Sequence, residues 1–197
     1  MNPYAVILIE GLSYIVVFGG LIWLRREGLS RQFVVEGLAI TTICVAIGLL
    51  TGYTIAPVPF LTLIYLVTLR ARLLVEVGNF LLARRRQDAA ISLYHLAMKL
   101  RPDLTSRAIV LINEGLAHLF RGEPKRAISS LRTAMEAKLS PKYESACRYG
   151  LGLAHHRAGE EAEAVRQLKE AIEVCPNSIY ARQAQRALEA TEKADAG

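Results

Sequence analysis

Several side chains in this sequence are of types that do chemistry. Glu10 and Glu36 are carboxylates set inside long apolar runs. An acid there is costly unless it is neutral, paired or near an interface, and such acids serve as proton relays or structural ion pairs. His95, His118 and the adjacent His155 and His156 are candidate metal ligands, and Cys44, Cys147 and Cys175 are candidate nucleophiles. Their spacing argues against those roles. Neighbouring residues on a helix point about 100° apart, so His155 and His156 cannot share a face, whereas helical metal motifs use i, i+4 pairs. An odd number of cysteines without CxxC spacing gives neither a disulfide framework nor a zinc site. Glu160, Glu161 and Glu163 open a helix, where acids complement the positive end of the dipole. The sequence holds no Gly-rich phosphate loop, GxSxG or HExxH. The expectation is a protein that is not an enzyme, with no cofactor, no metal and no small-molecule substrate.

The elements that hold these residues begin with a membrane region over 1–69. It is nearly continuously apolar, and its charges balance: Arg25, Arg26 and Arg31 against Glu10, Glu27 and Glu36, so the net charge of +6 lies wholly beyond it. Tyr4 to Leu24 is long enough, at about 1.5 Å per residue, to cross a bilayer core of about 30 Å. Its arginines follow the apolar run, which reads as a retained anchor with the N-terminus outside and Arg25 and Arg26 inside. Phe33 to Ile55 is a second span, ended by Ala56-Pro57-Val58-Pro59. A third helix is expected over 58–76, running through Arg70 and Arg72 into the repeats and delivering them, with Arg84, Arg85 and Arg86, to the cytoplasmic side. The alternative is a two-helix hairpin whose third segment lies in the interface. The reading is an integral protein of a bacterial-type cytoplasmic membrane, with the lipid bilayer as one partner.

Two details of this region concern packing. Gly37, Thr41, Cys44, Gly48 and Gly52 share one face of the second helix, a small-residue surface for close helix approach. Depth counting puts Glu36 level with Arg70, so an intramembrane Glu36–Arg70 ion pair is expected.

Beyond residue 70 the chain repeats. Gly78, Gly115 and Gly152 stand 37 residues apart, and Ala90, Ala127, Ala164 and Ala97, Ala134, Ala171 keep the same step. A fixed period in this range marks stacked supersecondary units. Hydrophobic spacing is helical, with breaks at Pro102, Gly122, Pro141, Gly159 and Pro176. It predicts helix pairs over 71–84 and 88–101, 105–121 and 124–138, and 142–158 and 161–174, then a last helix from Ser178 to Lys193 with Ser178 as its N-cap. A glycine in the first helix of each pair and an alanine opposite let the two cross at close range. The fold class is therefore all-α: transmembrane helices over 1–69, an α-solenoid of three helix pairs over 70–176, and a capping helix and tail over 177–197.

The pattern Leu74, Gly78, Leu81, Ala90, Tyr94, Ala97, Pro102, its second copy Leu111, Gly115, Ala127, Leu131, Ala134, and its third Leu151, Gly152, Ala164, Leu168, Ala171, Pro176 resembles the tetratricopeptide repeat. The departure is a step of 37 where that family has 34. The resemblance implies a concave groove for a protein partner, lined by Val75, Asn79, Leu82, Ile109, Ile112, Asn113, Leu116, Leu119, Tyr149, Leu153 and His156. Asn79 and Asn113 match a carboxylate clamp of some family members, but Val75, Ala146 and Gly150 stand where that clamp needs cations, which argues against it. The groove that remains is apolar. It is filled either by an apolar or amphipathic helix of a partner or by the chain's own last helix, with Tyr180, Ala184 and Leu188. No aromatic-interleaved basic strip supports nucleic-acid binding. The resulting expectation is a membrane-anchored scaffold or adaptor. The alternative is a structural subunit or assembly factor that contacts a larger membrane complex through its transmembrane helices.

Overall fold

The computed structural model describes residues 2–24 and 30–195, which form ten helices and no strand. Arg25 and Arg26, on which the expected orientation of the first span rests, lie outside the described residues. Internal contacts divide the chain into two units, Met1–Leu73 and Leu74–Gly197.

The first unit contains α1 (Pro3–Leu24), α2 (Arg31–Thr51) and α3 (Pro57–Thr68). Ser30 caps α2, its Oγ accepting from the Phe33 N–H, and Pro57 starts α3, where its missing N–H costs nothing. Ile7, Tyr14, Phe33, Phe60 and Ile64 form the buried centre of this bundle. Close approach of α1 and α2 depends on small residues. A Cβ on Gly11 would lie 2.3 Å from Thr41 Oγ1, one on Gly37 would lie 2.9 Å from Ile15 Cγ1, and one on Gly48 would lie 3.0 Å from the Tyr4 ring. By length and composition, α1 and α2 can each cross a membrane.

The third apolar segment requires a correction. The single helix expected over 58–76 is divided at Leu69 (φ −109°), with α3 ending at Thr68 and α4 (Arg70–Ala83) beginning directly after it. Local contacts accompany the break. Thr68 Oγ1 donates to the Ile64 carbonyl at 2.7 Å and meets the Tyr14 hydroxyl at 2.8 Å, while Arg70 Nη1 takes the Val67 carbonyl at 2.6 Å. Threonine back-bonding of this kind favours a bend but does not by itself break a helix, since Thr41 and Thr62 make the same bond inside α2 and α3. A third crossing exists only if the broken pair α3 and α4 acts as one span.

In the second unit, which begins within α4, the helices run in pairs: α4 with α5 (Gln87–Lys99), α6 (Leu104–Phe120) with α7 (Pro124–Met135), and α8 (Pro141–Arg157) with α9 (Glu161–Val174), followed by α10 (Ile179–Asp195). Each first-helix glycine is pressed against the second helix of its pair. A Cβ would lie 2.4 Å from Tyr94 at Gly78, 2.7 Å from Leu131 at Gly115 and 2.6 Å from Leu168 at Gly152, three contacts that repeat at the 37-residue step. The alanines of both series are buried. Each first helix also ends in the same way. The amides of Arg86, Glu123 and Glu160 bond back to the carbonyls of Leu81, His118 and His155, forming a Schellman turn around a residue of positive φ. That residue is Gly122 (83°) and Gly159 (79°) in two copies but Arg85 (60°) in the first. A side chain in the left-handed region costs about 1–2 kcal/mol. Arg85→Gly is therefore expected to stabilise the repeat region by about 1 kcal/mol, read as a rise in its urea midpoint at unchanged slope.

Ser178 Oγ accepts from the Ala181 N–H at 2.9 Å and caps α10. Ala184 and Leu188 of α10 pack with Leu168 and Ala171 of α9. The last helix thus covers the end of the stack, as solenoids require.

Candidate functional site

The residues with chemical potential are placed by these turns. His118 and His155 are buried at the ends of α6 and α8, and each Nδ1 meets the carboxylate five residues on, Glu123 at 2.8 Å and Glu160 at 2.5 Å. Exposed His156 pairs in the same sense with Glu161. These contacts staple α6 to the start of α7 and α8 to the start of α9. His95 Nε2 reaches the buried Glu114 carboxylate at 2.8 Å, tying α5 to α6. Among the described residues no three of His, Cys, Asp and Glu converge in a metal-binding arrangement. Burial pushes the Cys147 thiol up to about 12, and its Sγ lies against the Leu131 carbonyl, which keeps it protonated and unreactive.

The Glu123 carboxyl is held below its ordinary value of 4.5, first by the His118 hydrogen bond and then, against some desolvation, by the charges of Arg121 and Arg126. A carboxylate whose folded value is depressed contributes stability that is present above the unfolded value and lost as pH falls through the folded one. Glu123→Gln is accordingly expected to lower stability at neutral pH and to flatten its fall below about pH 4.5. A series of urea midpoints against pH measures both.

In the first unit Arg70 Nη1 and Nη2 donate to the two Glu36 oxygens at 2.6 and 2.8 Å, a bidentate fork, and Gln32 Nε2 adds a third donor at 2.7 Å. Gly37, Thr41 and Gly48 pack within the chain, and Cys44 is partly buried beside the bundle core. Gly52 requires a different account from the packing role expected of it. At φ 74° it is the left-handed C-cap of α2, with its N–H on the Gly48 carbonyl and open space where a Cβ would stand. Glu10 lines a separate notch of about 270 Å³ with Val6, Ile7, Thr54, Ile55 and Pro57, and its Oε2 is buried without a hydrogen-bond partner.

The eleven groove positions separate by burial. Val75, Ile109, Ile112 and Leu119 are in the core. Asn79, Leu82, Asn113, Leu116, Tyr149 and Leu153 are half-buried, and His156 is exposed. Asn79 accepts a 2.7 Å bond from the buried Tyr94 hydroxyl, whose pKa burial and then the Glu76 carboxylate push far above its ordinary value. Asn113 Nδ2 donates to the Ile109 carbonyl of its own helix. At the C-terminal end Tyr180 of α10 lies 6.3 Å from Tyr149, ring centre to ring centre, so the chain itself occupies that part. At the other end a cleft of about 610 Å³ stays open, lined by Asn79, Leu82, Ala83, Arg85, Gln87 and Phe120. Asn79 and Leu82 were legible as groove residues, whereas Arg85, Gln87 and Phe120 were not. Phe120 had a signal: it is a large apolar residue next to the Arg121-Gly122 turn, at the position held by Ala83 and Arg157 in the other copies.

A family model described as tetratricopeptide repeat matches residues 145–178, which run through α8 and α9 to the cap of α10. The chain carries a tetratricopeptide repeat. No curated protein matches the chain. The two preceding helix pairs reproduce the geometry of the matched repeat: the glycine against the second helix, the buried alanines and the Schellman turn all recur. Repeats of this kind generally bind protein partners, and among the described residues a cleft stays open at α4, α5 and α6.

Proposed function

We propose that this protein is a membrane-anchored adaptor that holds a protein partner in the cleft between α4, α5 and α6. The observation that carries the reading is Phe120, an aromatic side chain left 61% exposed beside Leu82 in a cleft with polar Asn79 and Gln87 at its sides. Buried aromatic anchors dominate protein interfaces, and a concave site with a few polar groups fixes their orientation. An amphipathic helix or extended segment with one apolar anchor fits this chemistry. The apolar helices α1 and α2, with α3 running on through the break into the first turn of α4 as a third crossing, hold the rest of α4 and the repeats at the cytoplasmic face of the membrane. The small-residue face of α2 is taken up by α1, which favours the cleft over the membrane helices as the partner surface.

The test is co-purification from crosslinked membranes with wild type, Leu82→Glu and Phe120→Glu. Loss of the same protein by at least about tenfold in both variants is the expected result, since each buries a charge in the interface. Retention of that protein in both, with loss in Ile47→Trp on the exposed face of α2, moves the contact to the membrane helices. The side of the membrane is tested at Cys175, which is partly exposed while Cys147 is buried. A membrane-impermeant maleimide is expected to label it in inverted vesicles and not in intact cells.

A further inference from the structure

The outer face of α4 is built as an interface and is bare. Val77 and Phe80 are 51% and 55% exposed. Their equivalents one and two repeats on are Glu114 and Ala117 on α6 and Leu151 and Ala154 on α8, all four buried. At those internal steps the second helix of the preceding pair covers the face, as the His95 contact to Glu114 and the Cys147 contact to the Leu131 carbonyl show. The first repeat has no preceding pair in its unit, yet it keeps an apolar surface where a solenoid end is ordinarily polar. Phe80 is also too large for the usual cover, because the internal steps place alanine there.

We propose that this face pairs with the same face of a second copy of the chain, α4 against α4, antiparallel about a twofold axis at Phe80. The charge pattern selects that occupant. Glu76 and Arg84 stand four residues to either side of Phe80, and both are exposed. At 100° per residue, Glu76, Val77, Phe80, Ala83 and Arg84 fall within one arc centred on Phe80. In an antiparallel pair centred there, Glu76 of each copy faces Arg84 of the partner subunit, giving two reciprocal ion pairs around an apolar centre of Phe80 and Val77. Arg84 now lies over the Phe80 ring, 4.3 Å from its centre, and needs only a rotamer change to reach across. Such self-complementarity is the mark of an isologous contact. The paired helices bury less than a standard stable interface, so the contact depends on local density. Confinement of both copies to one membrane would supply that density, and the proposal does not depend on the cleft.

Disulfide capture in the membranes of the expressing cells tests this, with wild type and its three native cysteines as the baseline. Phe80→Cys is expected to give a linked dimer on mild oxidation, since facing helices bring Cα atoms on the axis within the reach of a disulfide. Co-expressed Glu76→Cys and Arg84→Cys chains, differently tagged, are expected to link to each other several-fold more than either links to itself. Leu104→Cys, exposed but off this face, is expected to stay at baseline. Glu76→Arg or Arg84→Glu on the Phe80→Cys chain is expected to lower the yield several-fold, and the double swap to restore it. Equal yields at positions 80 and 104, or a mixed yield no greater than the self yields, would overturn the proposal, as would failure of the swap to restore linking in protein that keeps its helical circular dichroism.

Discussion

Gly115→Val is expected to unfold the repeat stack or lower its melting temperature by roughly 10 °C. The first atom of the new side chain would lie 2.7 Å from Leu131 Cγ and 3.3 Å from the Ala127 carbonyl oxygen. Leu131 is fully buried among Ile112, Ala134, Ala146, Cys147 and Leu151, so it has no free volume to enter, and the carbonyl belongs to the α7 backbone. The two helices must separate, which costs about 3 kcal/mol or more, a large part of the 5–15 kcal/mol that stabilises a domain. Gly150 compounds the effect, because its α8 backbone also rests on Leu131 and on Leu116. Ser129→Ala, exposed on α7, is the control and is expected to change stability by less than about 0.5 kcal/mol. Thermal melts by circular dichroism read both.

The second large effect is expected at the Arg70 and Glu36 fork. Arg70→Gln leaves a carboxylate among apolar helices with Gln32 as its one donor among the described residues, at a cost of about 3 kcal/mol. It also frees the Val67 carbonyl at the break between α3 and α4. Glu36→Gln is expected to cost less, since Arg70 keeps that carbonyl. The double variant is expected to be more stable than Arg70→Gln alone, because it leaves no charged group unpaired. Unfolding in a denaturing detergent series measures the cycle. Strict additivity of the two single changes would mean that the fork carries no coupling energy.

The sequence made the architecture legible because its information is local and repeated. A glycine that must admit Tyr94, Leu131 or Leu168 can be read from spacing alone, since each copy corroborates the others. The Glu36 and Arg70 contact was legible from depth counting, which sets the two residues at a similar level on neighbouring helices. What could not be read was which face of each helix the stack leaves open. Ile112 and Leu119 are groove positions by family pattern, yet both are buried between packed helices, the first with Leu131 and Leu151 and the second with Ala127 and Ala154. The break at Leu69 was hidden as well, because it is bridged by Arg70 of α4 reaching back to the Val67 carbonyl of α3 and across to Glu36, and an apolar run gives no sign of that. Gly52 shows the same limit at a single residue. Its GxxxG spacing is that of a packing motif, while its position directly after the last residue of α2 makes it a cap.

The account rests on the cleft as the working surface, and site-specific photocrosslinking tests that most directly. A photoreactive phenylalanine analogue is placed at Phe120, in the cleft, or at Ile47, on the exposed face of α2, in the full chain within its own membrane. The account predicts one discrete protein adduct from position 120 that disappears when Leu82 is replaced by glutamate, with only lipid adducts from position 47. A discrete protein adduct from position 47 and none from position 120 would contradict it, placing the partner on the membrane helices.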